Sequence, residues 1–188
     1  MNWCEARLFG APEIFNAFTS LSLCLSAFFL KLNHPKLSIE FIIVFFLGIF
    51  SFAFHFWPCE FTRLLDEGAL VSYEHLVLSK VIKYQHANLL TGLSIISLIL
   101  FGKFHCLCLI FEALTIYFLM PQTIYFDKIT KIFCLISIFF WSLDFRCNEK
   151  RFHWGIVTPH ALWHIFGAFA TYLATKNIFI DSRNSQLR

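Results

Sequence analysis

The sequence predicts an all-α polytopic membrane protein: one seven-transmembrane-helix bundle over residues 1–188, N-terminus out and C-terminus in. Two observations carry this. First, hydrophobic residues make up 58% of the chain and charged residues only 14%, with 26 phenylalanines; soluble domains run near 45–50% apolar and about 25% charged. One water-soluble core of this length would not hide so much apolar surface. Second, the apolar residues fall into runs long enough to cross a bilayer, which takes roughly 20 residues of helix.

The segments follow in order. Residues 14–30 are the first, preceded by "MNWCEARLFGAPE". Glu5 and Glu13 there are unlike the basic start of a cleaved signal peptide, so this segment is expected to stay in the chain. Residues 37–57 are the second, closed by Trp57-Pro58. Residues 61–82 are the third and most polar, interrupted by Arg63, Asp66, Glu67, Glu74 and His75. A helix lying on the membrane surface is the alternative for it. Its acids crowd the starting end, however, and acids buried in a span usually face a cavity or a partner. Residues 88–101, 106–120, 129–143 and 154–175 complete the set, and "DSRNSQLR" is a polar, cytoplasmic-looking tail. Connections are short, with no linker, repeat or second domain. With the N-terminus outside, nine Lys and Arg fall on the inner side and six on the outer. That imbalance obeys the positive-inside rule.

Some functions are excluded early. The net charge of +3 is spread over short loops, and there is neither a basic run to grip nucleic acid nor a Gly-rich phosphate loop. The seven cysteines form no C-x-x-C pair. Cys24, Cys106, Cys108 and Cys134 lie in apolar runs and read as small hydrophobes. Cys4, Cys59 and Cys147 lie near segment ends, where a bridge among them is left open.

"TPHALWHIFG", residues 158–167, places His160 and His164 four apart in an otherwise apolar run. Charged groups in mid-bilayer cost about 2.5–3.5 kcal/mol on insertion scales, so ionisable residues there are usually functional. On a helix, i and i+4 share a face, so both imidazoles can hold one ion. The spacing is that of H-E-x-x-H, but Ala161 stands where that motif has its glutamate, so a group that activates water must come from elsewhere. Ser51 and His55 are also i, i+4, at the end of the second segment, and Asp66 follows His55 by eleven residues. With seven spans, the second segment ends, the third begins and the seventh begins on one side of the membrane. His55, Asp66, His160 and His164 would then meet at one depth.

Three imidazoles with one open position are the coordination of a catalytic zinc. Asp66 would act as general base and then acid, and Ser51 would donate a hydrogen bond to the oxyanion. The alternative is a set of polar residues satisfied by helix contacts. His34, His75, His86, His105 and His153 lie in loops or near helix ends and read as interfacial residues.

These residues resemble the alkaline ceramidase family, within the wider CREST superfamily of seven-helix membrane hydrolases. The similarity covers nearly the whole chain: "WCE" at 3–5, "PEIFNAFTSLS" at 12–22, Ser51-x-x-x-His55, Asp66, and "HALWH" at 160–164. It implies zinc held by His55, His160 and His164, with Ser51 and Asp66 catalytic, and hydrolysis of the ceramide amide to sphingosine and a fatty acid. The expected partner is a membrane lipid; no obligate protein partner is evident. Another N-acyl lipid or ester as substrate, and a receptor like those for progestin and adiponectin, stay open. The family's eukaryotic members carry an N-terminal calcium site, but here Arg7 replaces the expected asparagine and Glu5 and Glu13 are the only candidate ligands. Calcium wants several oxygens, so that site is left open, with pairing to Arg7 or a neighbouring loop the alternative for both acids. The resemblance also suggests a Cys4–Cys147 bridge on the outer side. The compact N-terminus is similar to prokaryotic members, which implies an inner plasma membrane; a eukaryotic chain would belong to an ER or Golgi-type membrane.

Overall fold

Apolar runs that contain no proline and are flanked by Pro35, Pro58 and Pro159 leave the backbone one way to satisfy its own polar groups, which is the α-helix. The computed structural model describes residues 13–81, 84–101, 128–144 and 157–186. Among these, six helices are present: α1 (Ile14–Asn33), α2 (Ser38–Phe56), α3 (Glu60–Val81), α4 (Tyr84–Phe101), α5 (Lys128–Asp144) and α6 (Pro159–Gln186). The all-α class is as predicted. The predicted segment at 106–120 lies outside the described residues, as do Cys4, Glu5, Arg7, Cys106, Cys108 and Cys147.

Helix ends follow local chemistry. α2 stops at Trp57, whose N–H donates to the Ala53 carbonyl at 2.8 Å, because Pro58 cannot continue it. α3 then starts with Thr62 Oγ1 accepting from the Cys59 N–H at 3.1 Å, the back half of a capping box. The last helix was expected to start near residue 154, but it starts at Pro159. Thr158 is the reason: its Oγ1 accepts from the Ala161 N–H at 3.1 Å, an N-cap followed by proline at the first helical position. At its other end α6 runs on to Gln186, through most of what the sequence suggested was a polar tail.

α1 packs on α2 and α6, α3 on α2, α4 and α6, and α5 on α6. α3 is therefore a member of the bundle. Its Val71, Tyr73, Val77 and Leu78 are buried. Directions follow from the contacts. Asn16 meets Thr158 and Asn33 meets Tyr172, so α1 and α6 run parallel. His75 hydrogen-bonds Thr91, pairing α3 with α4 antiparallel. Thr130 meets Asn177 while Trp141 stacks on Trp163, so α5 runs against α6.

The apolar centre joins Leu23, Ala27, Val44, Leu47, Tyr73, Val77 and Ala168 of α1, α2, α3 and α6. α1 and α2 come closest at Gly48, where an added Cβ would lie 2.6 Å from Cys24 Sγ and 2.8 Å from the Cys24 backbone nitrogen. Cys24 is a buried free thiol, used here as a small packing group. Gly48→Val is expected to cost about 1–3 kcal/mol of stability through overpacking, seen as a lower thermal midpoint of the purified protein in detergent. An unchanged midpoint would mean that the two helices can part at no cost.

Beside this apolar centre, large apolar side chains also lie on the outside and many polar ones are buried. Ile14, Phe18, Leu25 and Phe29 of α1 are about half exposed or more, as are Leu89, Leu93, Ile96 and Ile99 of α4. Asn16, Ser20, Ser51, His55, Thr130, Thr158, His160, His164 and Thr175 are buried. Among the described residues two helices, Ile14–Asn33 and Ser38–Phe56, are long and apolar enough to cross a membrane, against the seven spans that the sequence predicts.

Candidate metal centre

His55 sits in the last turn of α2, and His160 and His164 in the first two turns of α6. The antiparallel run of α1 into α2, and the parallel run of α1 and α6, bring these helix ends to one end of the bundle. All three imidazoles are buried, at 2%, 2% and 1% exposure. One ring nitrogen from each lies within 4.8 Å of the others. His160 Nε2 is 3.1 Å from His55 Nε2. Two imidazole nitrogens on one tetrahedral zinc, each at about 2.0–2.1 Å, would stand roughly 3.4 Å apart. The donor set therefore fits a metal: three buried imidazole nitrogens, close enough for one ion.

The outer ring nitrogens are held so that Nε2 faces inward on two of the rings. His55 Nδ1 bonds Glu13 Oε2 at 2.6 Å. His164 Nδ1 meets Thr19 Oγ1 at 3.2 Å. That hydroxyl has one proton and two backbone carbonyls in reach, Phe15 and Asn16 at 2.9 and 3.0 Å, so it is placed to accept from Nδ1–H. Both rings then point an Nε2 lone pair at the centre of the cluster, where a cation satisfies them.

The sequence leaves Glu13 open between calcium and pairing with Arg7 or a neighbouring loop; the structure places it against His55. It is 2% exposed, and its Oε2 also accepts from Asn16 Nδ2 at 3.1 Å. Asn16 Oδ1 in turn accepts from Thr158 Oγ1 at 2.8 Å, the N-cap of α6. The Glu13 N–H donates to the His55 carbonyl at 2.9 Å. One hydrogen-bonded chain thus ties the starts of α1 and α6 to the end of α2. Glu13 lies just ahead of the first apolar span. Burial raises its pKa, but the His55 hydrogen bond and the charges of His55 and His160 outweigh that and hold the carboxyl below its ordinary range. An ionised carboxylate on the outer nitrogen raises the basicity of the imidazole and fixes its tautomer. Glu13→Gln is expected to weaken metal affinity about 10–100-fold, measured by competition with a chromogenic chelator. Wild-type affinity in that variant would reduce Glu13 to a helix-end tie.

A cavity opens beside the cluster, lined by Ser51, His55, Asp66, Glu67, His160 and His164 with Leu23, Leu47, Phe54, Leu70, Trp141, Trp163, Gly167 and Thr171. Ser51 Oγ is 3.4 Å from His164 Nε2. Asp66, in the second turn of α3, faces Ser51 and His160. All five residues singled out from the sequence therefore border one cavity. The other described histidines do not: His34 caps the end of α1, His75 pairs with Thr91 at 2.8 Å between α3 and α4, and His86 is exposed; His105 and His153 lie outside the described residues. Sequence reasoning missed Glu13, Asn16, Thr19 and Thr158 as the frame of the cluster. The signal was present: polar residues at 13, 16 and 19, spaced as one helix face, open an otherwise apolar run. No protein-family model, no curated protein and no solved structure matches the chain.

Proposed function

We propose that the chain is a multi-pass membrane hydrolase that uses zinc at His55, His160 and His164 to cleave the amide of a ceramide-type lipid. The observation that carries this reading is the convergence of three buried imidazoles on a cavity that also holds Ser51, Asp66 and Glu67 and is walled elsewhere mainly by leucines and aromatic rings. The order Ser51, His55, Asp66, His160, His164 resembles that of the alkaline ceramidases, which supports the same assignment.

Membrane residence is supported by the apolar outer faces of α1 and α4 and by two helices long and apolar enough to cross a bilayer. Seven spans belong to this reading, and the directions of the described helices are compatible with them. α4 runs from the far end of the bundle towards the level of Asp66, and α5 starts again at the far end, where Thr130 meets Asn177. The segment that the sequence predicts at 106–120 lies outside the described residues.

Zinc in a three-imidazole site supplies a Lewis acid and a water acidified to a pKa of about 7. The residues of the chain do the rest. Asp66 takes a proton from water as its oxygen bonds the carbonyl carbon. Ser51 donates a hydrogen bond to the oxyanion that develops there. Asp66 then returns the proton to the amide nitrogen as the C–N bond breaks, giving a fatty acid and an amine. Phe54, Trp141 and the leucines of the wall keep the acyl chain out of water.

The test pairs metal analysis of detergent-purified protein with hydrolysis assays on ceramide, N-acyl ethanolamine and an ester analogue. About one zinc per chain with ceramide turnover supports the reading. Turnover of another substrate alone moves the specificity, zinc without turnover of any lipid favours a receptor, and absence of zinc sinks the proposal.

A further inference from the structure

The hydrolase reading leaves Glu67 without a task. It is 8% exposed, adjoins Asp66 and lines the same cavity. Arg63, one turn nearer the helix start, bonds Glu67 Oε2 through Nη1 and bridges with its other nitrogens to Glu60. The Glu60 side chain is 72% exposed and that of Arg63 13%, so an acid–base–acid ladder climbs α3 from its exposed start into the cavity. Beyond Asp66 and Glu67 the α3 wall turns apolar at Leu70.

Burying an ion pair contributes little to stability, because desolvation offsets the attraction, and ionisable groups inside a membrane bundle usually serve a ligand. Arg63 fixes one carboxylate oxygen of Glu67 and so sets the direction of the other. An amide lipid bound with its carbonyl at the histidines has two limbs to place. The acyl limb needs an apolar wall. The amine limb of a ceramide-type lipid carries hydroxyls, which need an acceptor once out of water.

Resting on the hydrolase reading, we infer that Glu67, positioned by Arg63, accepts the hydroxyl of the amine limb and makes the site selective for N-acylated amino alcohols. The acyl limb then lies along the apolar wall beyond Leu70, and the amine limb faces the exposed start of α3.

The test is binding, measured on purified, zinc-loaded protein with two probes: N-palmitoyl-sphingosine, and N-octadecyl-palmitamide, which keeps the amide and two long chains but has no hydroxyl. Wild type is expected to bind the first about tenfold more tightly, the scale of a hydrogen bond to a charged acceptor. In Glu67→Leu the ratio should fall to near one with zinc content retained, and Glu67→Gln, which keeps an acceptor oxygen, should restore part of it. A ratio that survives in Glu67→Leu, or no preference in wild type, overturns the assignment. If Glu67→Leu does not fold, an undiminished ratio in Glu67→Gln together with Arg63→Leu does the same. Protein that discriminates the probes through Glu67 yet hydrolyses neither fails the hydrolase reading while the assignment stands.

Discussion

His164→Ala is expected to lose bound zinc and lipid hydrolysis together, with zinc content near zero and turnover below about one part in 10³ of wild type. The effect is large because this ring belongs to the cluster. Its Nδ1 is held by Thr19 and its Nε2 lies beside Ser51, at 1% exposure, so its removal takes one of the three described imidazoles from the cluster. Two imidazoles remain, too few for the catalytic site of three protein ligands and one open position. The measurement is zinc stoichiometry by elemental analysis beside hydrolysis of a fluorescent ceramide, on protein that elutes as wild type in size exclusion. A folded His164→Ala protein that retains stoichiometric zinc would show that the ion sits elsewhere.

How much of this was readable in the sequence depended on the distance over which residues act. The pairing of His160 with His164, and of Ser51 with His55, follows from helical periodicity, which links positions three and four apart. Bringing His55 to His160, 105 residues away, needed only the direction of each helix, since helices that start or end at one face deliver their terminal residues to one depth. The meeting of α2's end with the starts of α3 and α6 follows from that logic, even with residues 102–127 outside the described part. Glu13 was not legible in the same way. Its role is set by the crossing of α1 over α2, which depends on the close approach at Gly48 and on the Asn16–Thr158 bond to α6, and no periodicity encodes a crossing. The start of α6 was legible in principle, because threonine followed by proline is a capping signal, but the apolar residues before it drew the boundary earlier. Hydropathy averages over a window, whereas a cap is a single hydrogen bond.

Asp66→Asn separates chemistry from metal binding. Asparagine keeps the size and the hydrogen-bonding edge of the side chain but neither takes up a proton nor releases one in the working range. Asp66 lines the cavity with the histidines, yet the described cluster that can hold an ion consists of His55, His160 and His164. Zinc content is therefore expected to stay at the wild-type level. Turnover should fall by about 10²–10⁴, the range that general acid–base catalysis supplies. The loss should appear in kcat more than in KM, because in the proposed reaction the aspartate acts on the proton in flight while the cavity walls would hold the lipid. The distinction matters because a residue that merely shaped the site would lose metal, substrate affinity and rate together. If Asp66→Asn hydrolyses ceramide at the wild-type rate, the proton is carried by another group. Loss of zinc in that variant would instead make the aspartate a fourth ligand, closing the vacancy on which the hydrolytic reading depends.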